Sequence, residues 1–125
     1  MYDPTMKNPN HELSSLQQRI EAATGADRDL DADIDRLIRR VVNDPPDADP
    51  DPTPDAIPAY TASVDQCLEL LHVVLPDWHW HIGRDASGVF PYAALSKGKT
   101  VISADGTSVP LVLLTAMIRA VKVPE

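Results

Sequence analysis

Apolar residues recur at helical spacing in four stretches of the chain, which begin near Leu13, Leu30, Val64 and Leu111. The second stretch has apolar residues at offsets of four, seven, eight and eleven from its first member: Leu30, Ile34, Leu37, Ile38 and Val41. Such offsets place side chains on one face of an α-helix. Aspartates precede arginines along this stretch, an order that the helix dipole favours. We therefore predict four helices, and the first two form an N-terminal helical segment over residues 13–42.

Between the third and fourth helices the apolar period changes to two, which is the period of a β-strand. Residues 78–82 alternate, so we expect Trp78, Trp80 and Ile82 to face the core. His79 and His81 should then lie on the opposite face of a sheet. Glycine-containing turns separate this strand from a second near residues 89–95 and a third over residues 100–104.

These elements predict a single domain of the α+β class. Its core is an α-β-β-β-α unit over residues 59–123, in which two helices flank a three-stranded antiparallel meander. The helix near residues 27–42 has its own apolar stripe, so we expect it on the opposite face of the sheet, giving an α/β/α sandwich. Pro91 lies in the second strand and indicates an edge position or a bulge.

Two segments are predicted to lie outside this packing. Residues 1–12 are interpreted as a flexible leader. Residues 43–58 contain six prolines, five aspartates and no basic residue. Proline and mutual charge repulsion both favour extended chain, so we interpret residues 43–58 as a linker.

The formal net charge of −8 is concentrated in residues 1–59, which hold thirteen acidic and six basic residues. Such a field repels polyanions, so nucleic acid and anionic membrane surfaces are disfavoured as partners. The single cysteine, Cys67, cannot form an internal disulfide and suits a reducing compartment. The N-terminus lacks a signal-peptide pattern, and no apolar run approaches the ~20 residues that span a bilayer. We expect a soluble, cytoplasmic protein with no membrane partner.

Three motifs that suggest a ligand are incomplete. Residues 96–100 (Ser-Lys-Gly-Lys-Thr) are similar to the end of a phosphate-binding loop, but Ala93 occupies the position of its first glycine. Alternating aspartates over residues 27–35 and 47–51 have calcium-loop spacing without the required glycine and glutamate. The predicted element order also occurs in double-stranded-RNA-binding domains, but the last helix begins without their lysine cluster. No cofactor is predicted.

Two histidines are weak candidates for a metal site, because His79 and His81 share one strand face and can approach one metal ion. A zinc site needs a third ligand. The neighbouring residues with ligand atoms have no diagnostic spacing: Cys67, His72, Asp77 and Asp85. Histidines and nearby cations are the predicted contacts of a ligand or partner: His79, His81, Arg84, Lys97 and Lys99. No catalytic residue is predicted, and Cys67 is interpreted as an inert core thiol.

Three short blocks follow one another along the chain: Gly25-Ala26-Asp27-Arg28-Asp29-Leu30-Asp31-Ala32, Pro58-Ala59-Tyr60-Thr61-Ala62-Ser63-Val64-Asp65 and Thr107-Ser108-Val109-Pro110-Leu111-Val112-Leu113. They are similar to a Gly-Arg-Glu-Leu-Asp-Ala opening, a Tyr-Ser-Thr-Asp helix start and a Thr-Ala-Pro-Leu-Ala helix start in the phage "ABA sandwich" domain family. The chain thus resembles these small phage and prophage proteins over most of residues 25–122. The resemblance implies a helix–sheet–helix layered fold, a phage or prophage origin and a place in the host cell cytosol. It implies no enzyme activity.

These observations favour a non-enzymatic phage or prophage accessory protein that acts by binding a host protein or a small ligand, including a nucleotide. One alternative is a structural or assembly role in a phage particle, with homo-oligomers formed through edge strands. The other alternative is a small metal-dependent enzyme at His79 and His81.

Overall fold

The computed structural model describes residues 9–43 and 56–122 of the chain. Its elements are, in order, the helices α1 (Pro9–Ala22), α2 (Arg28–Asn43) and α3 (Val64–Val74), the strands β1 (His79–Arg84), β2 (Pro91–Lys97) and β3 (Thr100–Asp105), and the helix α4 (Val109–Lys122). The three strands form one antiparallel sheet in the order β1-β2-β3. The predicted α+β class and the α-β-β-β-α unit are therefore confirmed.

The helices begin where the sequence supplies a suitable cap or a proline. The Asp27 carboxylate accepts a hydrogen bond from the Leu30 N–H at 3.1 Å, and the Ser63 hydroxyl accepts one from the Gln66 N–H at 3.2 Å. Both caps agree with the predicted helix starts. α1 begins at Pro9, because proline suits the first turn of a helix. Residues 9–12 therefore belong to α1 and not to the predicted leader, and residues 1–8 lie outside the described chain.

The register of the sheet separates two faces. Trp80 lies opposite the fully buried Leu95, so the two side chains share the face that the helices cover. His79 and His81 lie on the other face, as the alternation predicts. Pro91 is the first residue of the central strand β2, and not of an edge strand or a bulge. Proline is tolerated there because its missing N–H falls at the end of the ladder, where β3 ends.

Helix α4 lies at the centre of the core. Every residue from Leu111 to Ile118 is buried, because α4 packs on β2 and β3 and also against α1 and α3. α2 packs against α1 and α3, and its residues Leu30, Ile34 and Leu37 join the same core. This layering differs from the expected sandwich, in which α2 covers the opposite face of the sheet. A helix that is apolar on all sides needs cover on all sides, so α1, α3 and the sheet surround α4, and α2 packs outside them on α1 and α3.

The two tryptophans are covered to different extents. Trp78 packs against the edge of the core and is partly buried, whereas Trp80 keeps 51% of its surface exposed. α4 packs over β2 and β3, so the edge strand β1 projects beyond this helix. The predicted face of Trp80 is therefore right, but its predicted burial is wrong.

The last two residues of the predicted linker, Ile57 and Pro58, contact the first turn of α2. The Arg28 guanidinium donates hydrogen bonds to the carbonyl oxygens of Ile57 at 2.9 Å and Pro58 at 3.4 Å. Of the predicted linker over residues 43–58, residues 44–55 lie outside the described chain. Asn43 is the last residue of α2, so the chain leaves α2 at one end and returns to it at the other.

Candidate functional site

The face of the sheet that points away from the helices consists of alternate positions on the three strands. We call these nine residues the open face: His79, His81, Gly83, Tyr92, Ala94, Ser96, Val101, Ser103 and Asp105. None of the nine is buried, whereas Ala93, Leu95 and Ala104 on the covered face are. Within the described chain, the open face is therefore accessible to another molecule.

His81 and Tyr92 form the best-defined pair of side chains on the open face. The His81 Nε2 and the Tyr92 hydroxyl lie 2.9 Å apart and share a hydrogen bond, whose donor depends on the imidazole tautomer. Their ring centroids are 5.7 Å apart, with the planes inclined at 34°. The pair therefore presents an aromatic surface that carries a polar edge.

Gly83 makes this arrangement possible. It lies opposite Tyr92 in the register of β1 and β2, and a Cβ at this position would lie 2.9 Å from the Tyr92 Oη. The tyrosine ring thus lies across the glycine to reach His81. Sequence reasoning missed Tyr92 because alternation predicts a strand but not its register with the neighbouring strand. The length of the β1–β2 turn, which sets this register, was the available signal.

The predicted contacts Lys97 and Lys99 lie at one end of the sheet. They flank Gly98 in the β2–β3 hairpin and are exposed. Gly98 has a φ of +61°, a conformation that favours glycine. His79 begins β1 at the same end of the sheet, opposite Ser96. The structure therefore places His79 close to the hairpin that carries both lysines.

The predicted contact Arg84 lies apart from these residues, at the other end of β1. Its guanidinium donates to the Val89 carbonyl at 3.4 Å. In the same turn, the Asp85 carboxylate accepts hydrogen bonds from the Ser87 hydroxyl at 2.5 Å and the Phe90 N–H at 3.4 Å. The Ser87 hydrogen bond is the main cause that holds the pKa of Asp85 below its ordinary value. Asp85 is therefore a fixed negative charge at this end of β1.

Among the described residues, no third metal ligand lies beside His79 and His81. In residues 9–43 and 56–122, no group of three or more histidine, cysteine or carboxylate side chains could hold a metal ion. Cys67 is fully buried in the core, whereas His79 and His81 are exposed on the open face. The geometry therefore leaves the two histidines as surface groups.

A buried hydrogen-bond network joins the start of α2 to the segment before α3. The fully buried Asp31 accepts hydrogen bonds from the Thr61 N–H at 2.7 Å and from the Arg28 guanidinium at 2.9 Å. The Tyr60 hydroxyl donates to the Asp35 carboxylate at 2.8 Å. The Asp31–Thr61 contact connects the first two of the three sequence blocks that carry the resemblance. The residues in them therefore have a structural role in this fold.

Cys67 lies between the second and third blocks. Its Sγ donates to the Tyr60 carbonyl at 3.0 Å and lies 3.8 Å from the Pro110 carbonyl. Burial, and to a lesser extent the nearby charge of Asp31, raises the pKa of the Cys67 thiol to about 12. The thiol therefore stays protonated at neutral pH, and the thiolate is the form that reacts. The predicted burial of Cys67 is confirmed.

A small cleft lies between the end of α1 and the β3–α4 connection. It is lined by residues of α1, of this connection and of α4: Ile20, Glu21, Ala23, Asp105, Gly106, Thr107, Leu111, Val112 and Thr115. The cleft holds about 260 Å³, including space that is open to solvent. Pockets for small molecules usually enclose about 300–1,000 Å³. This cleft is therefore too small to enclose a nucleotide.

Comparison of the chain with protein-family models, with curated proteins and with solved structures finds no match. The structure defines the protein by its architecture, as an α+β protein in which helices cover one face of a three-stranded meander. None of the described helices combines the length and apolar character needed to cross a membrane.

Proposed function

We propose that this protein is a non-enzymatic accessory protein that binds another protein through the open face of its sheet. The His81–Tyr92 pair carries the proposal, because its ring contact and hydrogen bond order an aromatic surface before any partner arrives. Aromatic residues with a polar end are enriched at protein interfaces. Ordering them in advance reduces the entropy that is lost on binding.

The broad open face and the small cleft beside α1 both favour a protein partner over a small ligand. The open face is a sheet surface with exposed and half-buried residues, and the cleft beside α1 is small. Small molecules need enclosure to bury most of their surface, whereas a protein partner can cover a broad face. Of the two binding modes expected from the sequence, the protein partner has the better support.

The charges of the open face suit a partner with an acidic contact surface. Among its nine positions only Asp105 carries a carboxylate, and it lies at the end away from the hairpin with Lys97 and Lys99. Most acidic residues of the chain lie in residues 1–59, and α1 and α2, which this segment contains, do not lie over the open face. Repulsion from the acidic residues of α1 and α2 should therefore be weak at the open face, and Lys99 in the hairpin turn should attract carboxylates.

The phage or prophage origin is part of the proposal and rests on the three blocks of resemblance. In that setting the partner is a protein of the host cell. The neighbouring genes test this point directly. Phage genes on both sides would support the origin, and bacterial genes without any phage genes nearby would contradict it.

One alternative keeps specific support. An assembly role is favoured by the outer edge of β1, which pairs with no strand of the described residues. A metal-dependent enzyme would need a third ligand beside His79 and His81, and the described residues supply no such group.

Site-specific photo-crosslinking in the native host tests the proposal. A photoreactive amino acid at Ala94, in the middle of the open face, should capture one protein. The same amino acid at the exposed Glu69 on α3 serves as the matched control and should not capture it. The captured protein is then purified, and its affinity for the wild-type chain and for Tyr92→Ala is measured by calorimetry. Loss of the aromatic anchor should weaken binding by about tenfold or more.

The variants must be shown to fold before their affinities are compared. Tyr92 is only partly buried, so Tyr92→Ala should keep the circular dichroism spectrum of the wild type. Equal affinities of wild type and Tyr92→Ala, or capture from Glu69 alone, would show that the partner binds elsewhere.

A further inference from the structure

The two edges of the sheet expose backbone groups at positions that the hydrogen bonds identify. The Asp85 N–H donates to the Phe90 carbonyl at 2.9 Å, so residue 85 points its backbone groups toward β2. Antiparallel ladders alternate between bonded and non-bonded pairs. The backbone N–H and C=O groups of Trp80, Ile82 and Arg84 therefore point away from β2, toward the free side of β1.

The same argument applies to the outer edge of β3, but there a side chain of α4 binds one of the exposed backbone groups. The Gly106 N–H donates to the Pro91 carbonyl at 3.3 Å, so Ser103 points its backbone groups away from β2. The Arg119 guanidinium of α4 donates to the Ser103 carbonyl at 2.7 Å and to the Glu21 carboxylate of α1 at 2.6 Å. Arg119 thus occupies the middle of the β3 edge, and natural sheets protect their edges by such means.

Among the described residues, no side chain covers the outer edge of β1 in this way. Its sequence, His-Trp-His-Ile-Gly-Arg, contains no proline or lysine, which are common in blocked edge strands, and its one arginine lies at the end of the strand. Trp80 is 51% exposed on the covered face of the sheet, beyond the reach of α4. An unpaired edge beside an exposed tryptophan is a site to which an extended strand can add.

We infer that the strand that adds to β1 is the β1 of a second copy of this chain, in antiparallel orientation. Two copies related by a twofold axis through Ile82 would form one continuous sheet with three strands from each copy. In this register Trp80, Ile82 and Arg84 of one copy pair with Arg84, Ile82 and Trp80 of the other. These are the residues whose backbone groups point outward, so each pair exchanges two hydrogen bonds.

Charge complementarity selects this register. It places the exposed Trp80 indole beside the Arg84 guanidinium of the second copy on the covered side, where a cation–π contact can form. It also places His79 beside Asp85 of the second copy on the open side. A shift that moves the axis to His81 would set Asp77 opposite Asp85, and like charges that face each other destabilise a strand pair.

The dimer should be weak and should strengthen with salt. A single strand pair buries less surface than a standard stable interface of about 1,600 Å². Each copy also carries a net charge of −8, and the mutual repulsion of two such copies is screened by salt. Residues 79–84 themselves hold no acidic residue, so this repulsion acts at a distance and not across the strand pair.

Hydrogen exchange on the wild-type chain tests the inference without any substitution. The amides of Trp80, Ile82 and Arg84 should exchange fast in dilute solution and become protected as the protein concentration rises. The amides of His79, His81 and Gly83, which point toward β2, should be protected at all concentrations. Sedimentation equilibrium on the same samples should show a monomer that converts to a dimer.

Two matched substitutions locate the interface. Trp80→Lys places a lysine beside Arg84 of the second copy and should abolish the dimer. Val101→Lys makes the same kind of change at a residue that is 66% exposed on the β3 edge, and it should leave the dimer intact. Ile82→Cys should form an intermolecular disulfide under mild oxidation, because paired residues on the axis have Cα atoms about 5.5 Å apart.

A monomer at every concentration, with no added protection at Trp80, Ile82 and Arg84, would overturn the inference. So would a dimer that Val101→Lys abolishes and Trp80→Lys leaves intact. The inference stands apart from the proposed function, since β1 pairing leaves the open face uncovered. Tyr92→Ala should therefore dimerise like the wild type, whether or not it still binds a partner.

Discussion

The buried carboxylate of Asp31 accepts a hydrogen bond from the backbone N–H of Thr61 at 2.7 Å, thirty residues further along the chain. The same carboxylate forms an ion pair with Arg28 at 2.9 Å, and Arg28 in turn donates to the Ile57 carbonyl. Asp31 thereby fixes the segment before α3 to the first turns of α2. A local sequence pattern alone could not reveal this contact.

Asp31→Ala should destabilise the protein by about 2–4 kcal/mol, because it leaves the buried Thr61 N–H without its acceptor and removes the partner of Arg28. Asp31→Asn keeps an acceptor oxygen and should lose less. Urea unfolding followed by tryptophan fluorescence measures both. Asp29→Ala, at an exposed position of the same helix, is the control and should cost less than about 1 kcal/mol. Similar losses for positions 29 and 31 would contradict a structural role for the buried carboxylate.

Gly83→Ala should displace the Tyr92 ring without unfolding the protein. The new Cβ would lie 2.9 Å from the Tyr92 Oη, and the ring can swing outward because it lies on the accessible open face. The loss of its hydrogen bond to His81 should reduce stability by about 0.5–1.5 kcal/mol. A double-mutant cycle checks this cause. In a Tyr92→Ala background the glycine substitution should have little effect, and an equal loss in both backgrounds would point to backbone strain instead.

The Cys67 thiol should react slowly in the folded protein. Burial and the charge of Asp31 raise its pKa to about 12, so alkylation at pH 8 should require unfolding. We expect the native protein to react at least roughly a thousandfold more slowly than the urea-unfolded chain, given the usual stability of folded domains. Mass spectrometry with iodoacetamide measures both rates. Rapid alkylation of the native protein would show that the thiol is accessible.

The same pKa shift predicts how stability depends on pH. The folded pKa of about 12 lies above the ordinary value of 9.0, so the folded protein holds the thiol proton more tightly than the unfolded chain does. This contribution is complete below about pH 9 and is lost as the pH rises toward 12. Relative to Cys67→Ala, the wild type should lose up to about 1.4 kcal/mol per pH unit in this interval. A constant difference between the two proteins from pH 8 to pH 11 would contradict the shift.

The segment between α2 and Ile57 should tolerate shortening only up to a limit. α2 has 16 residues, so it is about 24 Å long, and the chain must return along this length to the Arg28 contact. Fourteen peptide steps join Asn43 to Ile57. Removing six residues leaves eight steps, which reach about 26–29 Å. Stability should then change by about 1 kcal/mol at most, because loop closure depends weakly on length.

Removing ten residues leaves four steps with a reach of only about 13–14 Å. This variant should lose the Arg28–Ile57 contact and unfold at much lower urea concentration than the six-residue deletion. Equal stabilities of the two deletion variants would show that the return to α2 is not under this length constraint.

Local chemistry explains which parts of the fold were predictable. The helices begin near Leu30 and Val64 as predicted, and the structure shows Asp27 and Ser63 as their caps, which involve only residues within one turn. The alternation of residues 78–82 placed His79 and His81 on one face, and the structure confirms this. The candidate site was predicted in part, since the open face holds both histidines but leaves Arg84 at the far end of β1.

The layer order was not predictable from the stripe of α2 alone. A stripe shows which side of a helix is buried, but it does not show which element covers it. The better signal was the nearly unbroken apolar run of residues 111–118. This run predicts a helix with neighbours on every side, and α4 has them.

By itself, the sequence determined the number and order of the helices and strands and the two faces of the sheet, because these depend on contacts between near neighbours in the chain. The second strand lies at Pro91–Lys97 and not at the predicted residues 89–95. Only the tertiary structure decided that Tyr92 crosses Gly83 to meet His81 and that Arg119 covers the β3 edge, whereas no strand of the described residues pairs with the outer edge of β1. Such contacts depend on strand register and on which helix covers which strand. These are set by the packing of the whole core, not by any one segment.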